Sequence, residues 1–224
     1  MKYILTVLVA CLVIWYPTDS IVAADVWPDS KLKRLEAESG HKLEIHWDVT
    51  TQTPSLITGA LSKPSRHTPA WIALEFVNKH RGLYGIQSPH SVMQVVEISG
   101  QRASVNRVRV QHMLYKTPVW GDELRIDIDE NGVIQRVEGR IHPNLAKATF
   151  NRPHHAAISQ EKAIRVAAAS LDQQHIRLDQ ADVQPYYLPS RAGIPLVFSV
   201  TFQSSSQTPM RVMVHALTGK VISQ

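Results

Sequence analysis

The chain has 224 residues, 44% hydrophobic and 19% charged, with 24 Lys and Arg against 19 Asp and Glu for a formal net charge of +5. That composition excludes a disordered or low-complexity chain, and the length suffices for one large or two small packed domains. The single cysteine, Cys11, lies in the first apolar run, which excludes cysteine catalysis, a thiolate metal site and a disulfide framework downstream of it.

Residues 1–24 read as an export signal. Lys2 supplies a positive end, Tyr3 to Tyr16 is an apolar run, Pro17 to Ser20 break it, and Val22-Ala23-Ala24 places small residues before Asp25. The run is shorter than the roughly 20 residues that a spanning helix needs. The expectation is cleavage near Ala24, a secreted or periplasmic product, and no transmembrane segment thereafter. An uncleaved anchor and a lipobox at Leu8-Val9-Ala10-Cys11 are the competing readings.

Lys31 to Glu38 follows as a short helix. His41 to Val49 alternates, with Leu43, Ile45, Trp47 and Val49 on one side, which predicts a half-buried strand. Residues 50–68, rich in Thr, Ser and Pro, read as a connection. Thr68-Pro69 opens a stronger helix, because Thr is a good N-cap and Pro fits the first helical position. Ala70, Ala73, Leu74 and Val77 give it one apolar face, and Lys79, His80 and Arg81 suit its last turn before Gly82.

Strands are predicted at Val92 to Ile98, around Val108, Val110, His112 and Leu114, and at Leu124, Ile126 and Ile128. Pro118 and Gly121 shape the start of the last of these. Asn131-Gly132 is a hairpin turn signal, and Val133 to Val137 is the return strand. Residues 143–157, with Pro143, Pro153 and two adjacent histidines, read as a linker. Ser159 caps a second helix carrying Ile164, Ala167, Ala168 and Leu171. Strands follow at Asp182 to Leu188, Pro195 to Phe202, Met210 to Ala216 and Val221-Ile222, with Gly219 in the last turn.

The plan therefore repeats: a capped helix, then a meander. The closing hairpins also match, Arg125 to Ile134 (RIDIDENGVI) against Arg211 to Ile222 (RVMVHALTGKVI). The fold class is α+β, two modules with a helix packed on an antiparallel sheet in each. The boundaries are residues 1–24 for the signal, 25–150 for the first module and 151–224 for the second.

Two blocks, Thr68 to Ile86 and Asn106 to Ile141, resemble the fungalysin/thermolysin propeptide (FTP) motif. In RVQHMLYKTPVWG, Lys116-Thr117 replaces the usual Gly-Val or Gly-Ile, and Trp120 replaces Phe. Ile158 to Leu171 and Arg211 to Ile222 resemble a PepSY domain, with His215 where that family commonly has Asp. That order resembles the pro-region of thermolysin-like zinc protease precursors. The resemblance implies cystatin-like modules, and a pro-region that assists folding of the catalytic domain and blocks its cleft.

No zinc-protease helix pattern of His-Glu-x-x-His, no inverted form and no Gly-x-Ser-x-Gly elbow occurs in the sequence. Thr218-Gly219-Lys220 reads as a turn, since Val214 occupies the first glycine of a phosphate loop. His154-His155 is the best candidate for an adventitious metal site. His41 and His46 point to opposite faces, and His112 falls on the apolar side of its strand, facing the core or a partner. Asp127, Asp129 and Glu130 lack the distal Glu of a calcium loop. No catalytic residue, metal or cofactor is expected.

The looser basic group of Arg102, Arg107, Arg109, Arg136, Arg140, Lys147 and Arg152 suits an acidic protein surface or envelope polymer rather than nucleic acid. Its alternative is a solvated strand face. Trp71 and Trp120 are interface anchors or module packing.

The expected function is a non-enzymatic chaperone or inhibitor acting in trans on a thermolysin-like zinc metalloprotease catalytic domain. The C-terminal segment Lys220, Val221, Ile222, Ser223 and Gln224 is expected to enter the partner's cleft, or simply to close the sheet. An envelope peptide-binding module and the orphan pro-region of a lost zymogen are the alternatives.

Overall fold

The computed structural model describes residues 29–40, 42–100, 104–171, 178–203 and 209–223. The residues read as an export signal, His41, Arg102 and Gln224 lie outside them. The elements are α1 (Asp29–Ser39), β1 (Glu44–Asp48), β2 (Thr53–Thr58), α2 (Pro69–Lys79), α3 (Pro89–Val92), β3 (Met93–Ser99), β4 (Val105–Leu114), β5 (Thr117–Asp129) and β6 (Ile134–Arg140). After these come α4 (Leu145–Ala148), α5 (Gln160–Ala169), β7 (Asp182–Tyr187), β8 (Leu196–Phe202), β9 (Met210–His215) and β10 (Val221–Ile222). The fold is mixed α+β, and no helix among the described residues is long and apolar enough to cross a membrane.

The first sheet runs β1-β2-β6-β5-β4-β3, with every neighbour antiparallel. Alternation along β4 and β5 turns Val108, Val110, Leu124, Ile126 and Ile128 to one face. There they form a core with Leu35, Ile57, Ala73, Phe76, Val77 and Tyr84. The helix over that face is α2, whose Thr68 hydroxyl accepts from the Trp71 backbone N–H at 3.4 Å as the capping pattern predicts.

The second sheet runs β7-β8-β9-β10, again antiparallel, with α5 packed on β8 and β9. Ser159 caps α5 by accepting from the Lys162 N–H at 3.2 Å. Ala163 and Ala167 present the helix face to Phe198, Val200, Phe202, Val212 and Val214. Leu114, Val119 and Leu145 also belong to this second core, so β4, β5 and the segment after β6 all reach into it.

Three expectations need correction. Residues 50–68 are not all connection. They contain β2, which lies between β1 and β6 and buries Ile57. Its polar residues hid it: the Thr51 and Thr53 hydroxyls bond each other, and Thr53 Oγ1 donates to the Ile141 carbonyl, so they are buried by satisfied hydrogen bonds rather than by hydrophobicity. Val49 does not share the buried side of β1. It is 84% exposed, because Asp48 accepts from the Thr50 and Thr51 N–H groups and turns the chain there. Finally, the 143–157 linker contains the one-turn helix α4, held by buried Leu145.

The two closing hairpins use the same device. Asp129 Oδ1 accepts from the Asn131 and Val133 N–H groups, both at 2.9 Å, in the β5–β6 turn. His215 Nδ1 faces the N–H groups of Leu217 and Thr218, at 3.1 and 3.4 Å, in the β9–β10 turn. In the matched segments Asp129 and His215 occupy the same position. The histidine therefore substitutes for a carboxylate as a turn acceptor.

Candidate functional site

The block Lys116 to Asp122 joins the two sheets. Gln111 pairs with Glu123 and Met113 pairs with Pro118, so residues 119–122 of β5 stand opposite His112 alone. A bulge of that size re-aims a strand. The Gln111 side-chain amide stitches it, with its two N–H hydrogens shared among the carbonyls of His112, Val119 and Asp122 at 3.1, 2.8 and 2.8 Å.

Each residue of the bulge has its own task. Val119 pairs in parallel with Tyr187 and so fuses the two sheets into one ten-stranded array. Trp120 meets Tyr186 edge-on, with centroids 4.9 Å apart and planes at 87°. The Arg211 guanidinium lies 5.0 Å over the same indole, a cation–π contact. Gly121 has φ +76°, and a Cβ there would meet nothing within 4 Å. Its glycine is required by backbone conformation, not by space. In contrast Gly132, at φ +75° in the β5–β6 turn beside exposed Asn131, would put a Cβ 2.0 Å from the Ser65 carbonyl.

Asp122 pins the bulge from inside. It is 0% exposed. Its Oδ2 accepts from His112 Nδ1 at 3.0 Å and from the His142 backbone N–H at 2.8 Å, and its Oδ1 accepts from His142 Nδ1 at 2.5 Å. A carboxylate is an acceptor only, so both imidazoles donate from Nδ1. Burial pushes the Asp122 carboxyl up, but the bonds from His112 and His142 outweigh it and hold it below the usual carboxylate range. The cluster ties β4, β5 and the exit of β6 together at the point where β5 leaves the first sheet.

The structure brings two predicted contact residues together and leaves others apart. Trp120 and Ile222 share one apolar cluster with Leu188, Val197 and Met213, on the side of the second sheet away from α5. Lys220 and Val221 lie at the sheet edge, and the Ser223 carbonyl accepts from Arg191. Pro118 sits in β5, Asn131 and Gly132 in the β5–β6 turn, and Gly219 in the β9–β10 turn. Trp71, half exposed, lies against His67 at 3.9 Å and lines a cleft of about 660 Å³ beside α2, well away in sequence from the bulge.

Sequence reasoning missed Asp122, His142, Arg191 and Arg211. Asp122 left a signal: it shares the inward register of Leu124, Ile126 and Ile128, and His112 shares that of Val108 and Val110. Two polar residues at core positions of neighbouring strands had to satisfy each other. Of the basic group, Arg107, Arg109, Arg136 and Arg140 form ion pairs with Asp127, Glu97 and Glu123, Glu138 and Asp48, which makes that face a solvated and internally paired one. His154 stacks on Tyr115 at 3.7 Å. Among the described residues no group of three or more His, Cys, Asp or Glu is arranged to hold a metal.

No family model matches the chain. It is 24% identical to neutral protease B of Bacillus subtilis (strain 168) over 188 residues, covering 80% of this chain and 34% of that protein. It is 22% identical to bacillolysin of Bacillus cereus over 183 residues, covering 80% of this chain and 32% of that protein. The chain thus has a distant similarity to thermolysin-like proteases and spans about a third of their length.

Proposed function

We propose that this chain is an exported, non-catalytic, pro-region-type protein that binds the catalytic domain of a thermolysin-like zinc metalloprotease in trans, as a folding chaperone and inhibitor. The similarity that covers 80% of the chain against about a third of each protease carries the reading. The bulge supports it. The block that resembles the propeptide motif holds two sheets in a fixed relation through Val119, Trp120 and Asp122. A rigid, extended sheet surface suits recognition by shape, because it loses little conformational entropy on binding.

The physical means is linkage. A surface that binds the native enzyme and not its unfolded chain shifts the folding equilibrium by RT ln(1 + [L]/Kd). Inhibition follows when the same surface, or the segment Lys220 to Gln224, covers the enzyme's cleft. The test is refolding of a denatured thermolysin-like catalytic domain with and without this protein, followed by peptidase assays of the native enzyme. A gain in recovered activity and a dose-dependent block are expected. Absence of both effects would refute the reading. Removal of residues 220–224 separates the two routes: undiminished inhibition assigns it to the sheet surface and discards the tail.

A further inference from the structure

The charge of this molecule is unevenly placed. From residue 143 onward the sequence has eight Lys and Arg against four Asp and Glu, whereas residues 25–142 have 15 against 14. Four of the eight gather at one end of the second sheet, where the β7–β8 turn, the start of α5 and the β9–β10 turn meet. The Ala157 and Ile158 N–H groups both bond the Ala216 carbonyl there. Lys162 lies beside Gly219, and the Arg152 guanidinium lies against Gly193. Arg191 reaches the Ser223 carbonyl, and Lys220 is exposed in the turn. Glu161 is an acidic residue nearby: the Ser159 hydroxyl bonds its carboxylate and holds it ionised, so it offsets one of the four cations.

Strand β10 borders this cationic end. Its pairing with β9 is Val221 to Val214 and Ile222 to Met213, without a register shift. The His215 N–H donates to the Lys220 carbonyl at 2.8 Å. Val221 and Val214 are therefore a non-hydrogen-bonded pair, and the N–H and C=O of Val221 point away from β9. No strand among the described residues lies on that side. The other free edges are interrupted: Ser55 of β2 bulges opposite His46 and Trp47 of β1, β3 bulges at Val96, and β7, which meets β5 only at Tyr187, carries Pro185. Among the described residues, only the β10 edge combines regular pairing, an exposed apolar residue (Val221, 42%) and a cationic border.

We propose that the β10 edge is a docking edge for an extended acidic segment of the partner protein, which adds to the second sheet as a further strand. Backbone bonds to Val221 supply the register, and carboxylates on the incoming segment pair with Lys220, Arg191, Lys162 and Arg152. This deepens the proposed function by naming the chemistry of the partner's contact, and rests on that reading only for the identity of the partner.

The probe is a fluorescein-labelled peptide of roughly six residues, alternating Glu and Val, with a Lys-Val counterpart, titrated by anisotropy against the full chain. The Glu-Val peptide is expected to bind and the Lys-Val peptide not. Val221→Pro removes an outward N–H without breaking a bond to β9, and is expected to loosen binding about tenfold with an unchanged thermal melt. The double reversal Lys220→Glu, Arg191→Glu is expected to loosen it by at least as much. The control Arg107→Glu, on the first sheet, leaves affinity unchanged. Three outcomes overturn the proposal: no peptide binding; loss on charge reversal but not with Val221→Pro, which means a polyanion site without strand addition; or a chain dimer that Val221→Pro dissolves, which means a second copy occupies the edge. Peptide binding without any effect on a refolding protease would spare this edge and remove the proposed function. The converse would remove the edge alone.

Discussion

The two halves of the molecule share a plan and differ in how they settle their charges. Each packs one capped helix on an antiparallel sheet, and each ends in a hairpin whose first turn residue accepts two backbone N–H groups. Yet every described ion pair lies between Arg34 and His142. In the second half, Arg211 covers an indole and Arg191 reaches a carbonyl. The first half pairs a large share of its arginines internally, and the second keeps its cations available. Under the proposed function, that division gives scaffold work to the first sheet and recognition to the second, with the Asp122 cluster between them.

The strongest way to break the comparison is to remove its joint. Asp122→Ala deletes the acceptor of three hydrogen bonds and leaves His112 and His142 donating to nothing. Losing one partner of a buried charged network costs about 3–5 kcal/mol. Urea denaturation should show that loss, and tryptophan fluorescence should report Trp120 leaving Tyr186 before either core melts. A loss below about 1 kcal/mol would mean that the bulge is held by Gln111 and Val119 without the carboxylate.

Acid should separate the halves next. His80 is buried against Phe76, with ring centroids 4.7 Å apart. Burial lowers its pKa from 6.5 to about 4, against the raising effect of Glu38. The unfolded chain takes up a proton near pH 6.5 and the folded chain only near pH 4, so stability is intact above pH 6.5 and falls as pH drops through that window. The gap corresponds to roughly 3 kcal/mol at its foot. Asp122 acts lower. Its folded pKa is depressed, so its contribution is present above the unfolded carboxylate value and vanishes as pH falls through the folded one. Midpoints of urea curves at pH 7 and pH 4.5 should differ strongly in the parent chain and much less in His80→Gln. An unchanged difference in that variant would take the acid sensitivity away from His80.

Much of this architecture was written in local pattern. Both capped helices, the Asn131-Gly132 hairpin and the alternating strands follow from the period of apolar residues and from cap chemistry, which act over a few residues. What could not be read acts over long distances. Strand β2 hides behind Thr51 and Thr53, whose burial depends on Ile141, far along the chain. The parallel contact of Val119 with Tyr187 is a single register pair with no local signature. Trp120 and Ile222 meet only because a bulge carries β5 across to the second sheet. His112 and Asp122 were half legible, as polar residues on apolar faces. His142 was not, because it follows the strand and takes its place only when β6 packs.

The matched hairpins offer a subtler test. If Asp129 and His215 do the same work, His215→Asp should keep the β9–β10 turn, while His215→Ala should lose about 1 kcal/mol with the two N–H groups returned to solvent. The measurement is amide exchange of Leu217 and Thr218, which should stay slow in the first variant and speed up in the second. Fast exchange in both would mean that the ring's packing, and not its acceptor nitrogen, holds the turn.

The smallest effect tests the division of labour itself. Arg107 bonds Asp127 twice, at 2.7 and 2.9 Å, yet its side chain is 58% exposed. Solvent screening and the entropy of a long side chain leave such a pair contributing little to stability. Arg107→Ala should therefore barely move the urea midpoint or the anisotropy of the acidic peptide. Arg191→Ala should move the midpoint as little and weaken the peptide several-fold, because that guanidinium sits at the docking edge without a carboxylate among the described ion pairs. Equal effects of both substitutions on affinity would mean that the whole surface attracts the peptide by net charge. The contrast between the two halves would then be a matter of sequence composition and not of recognition.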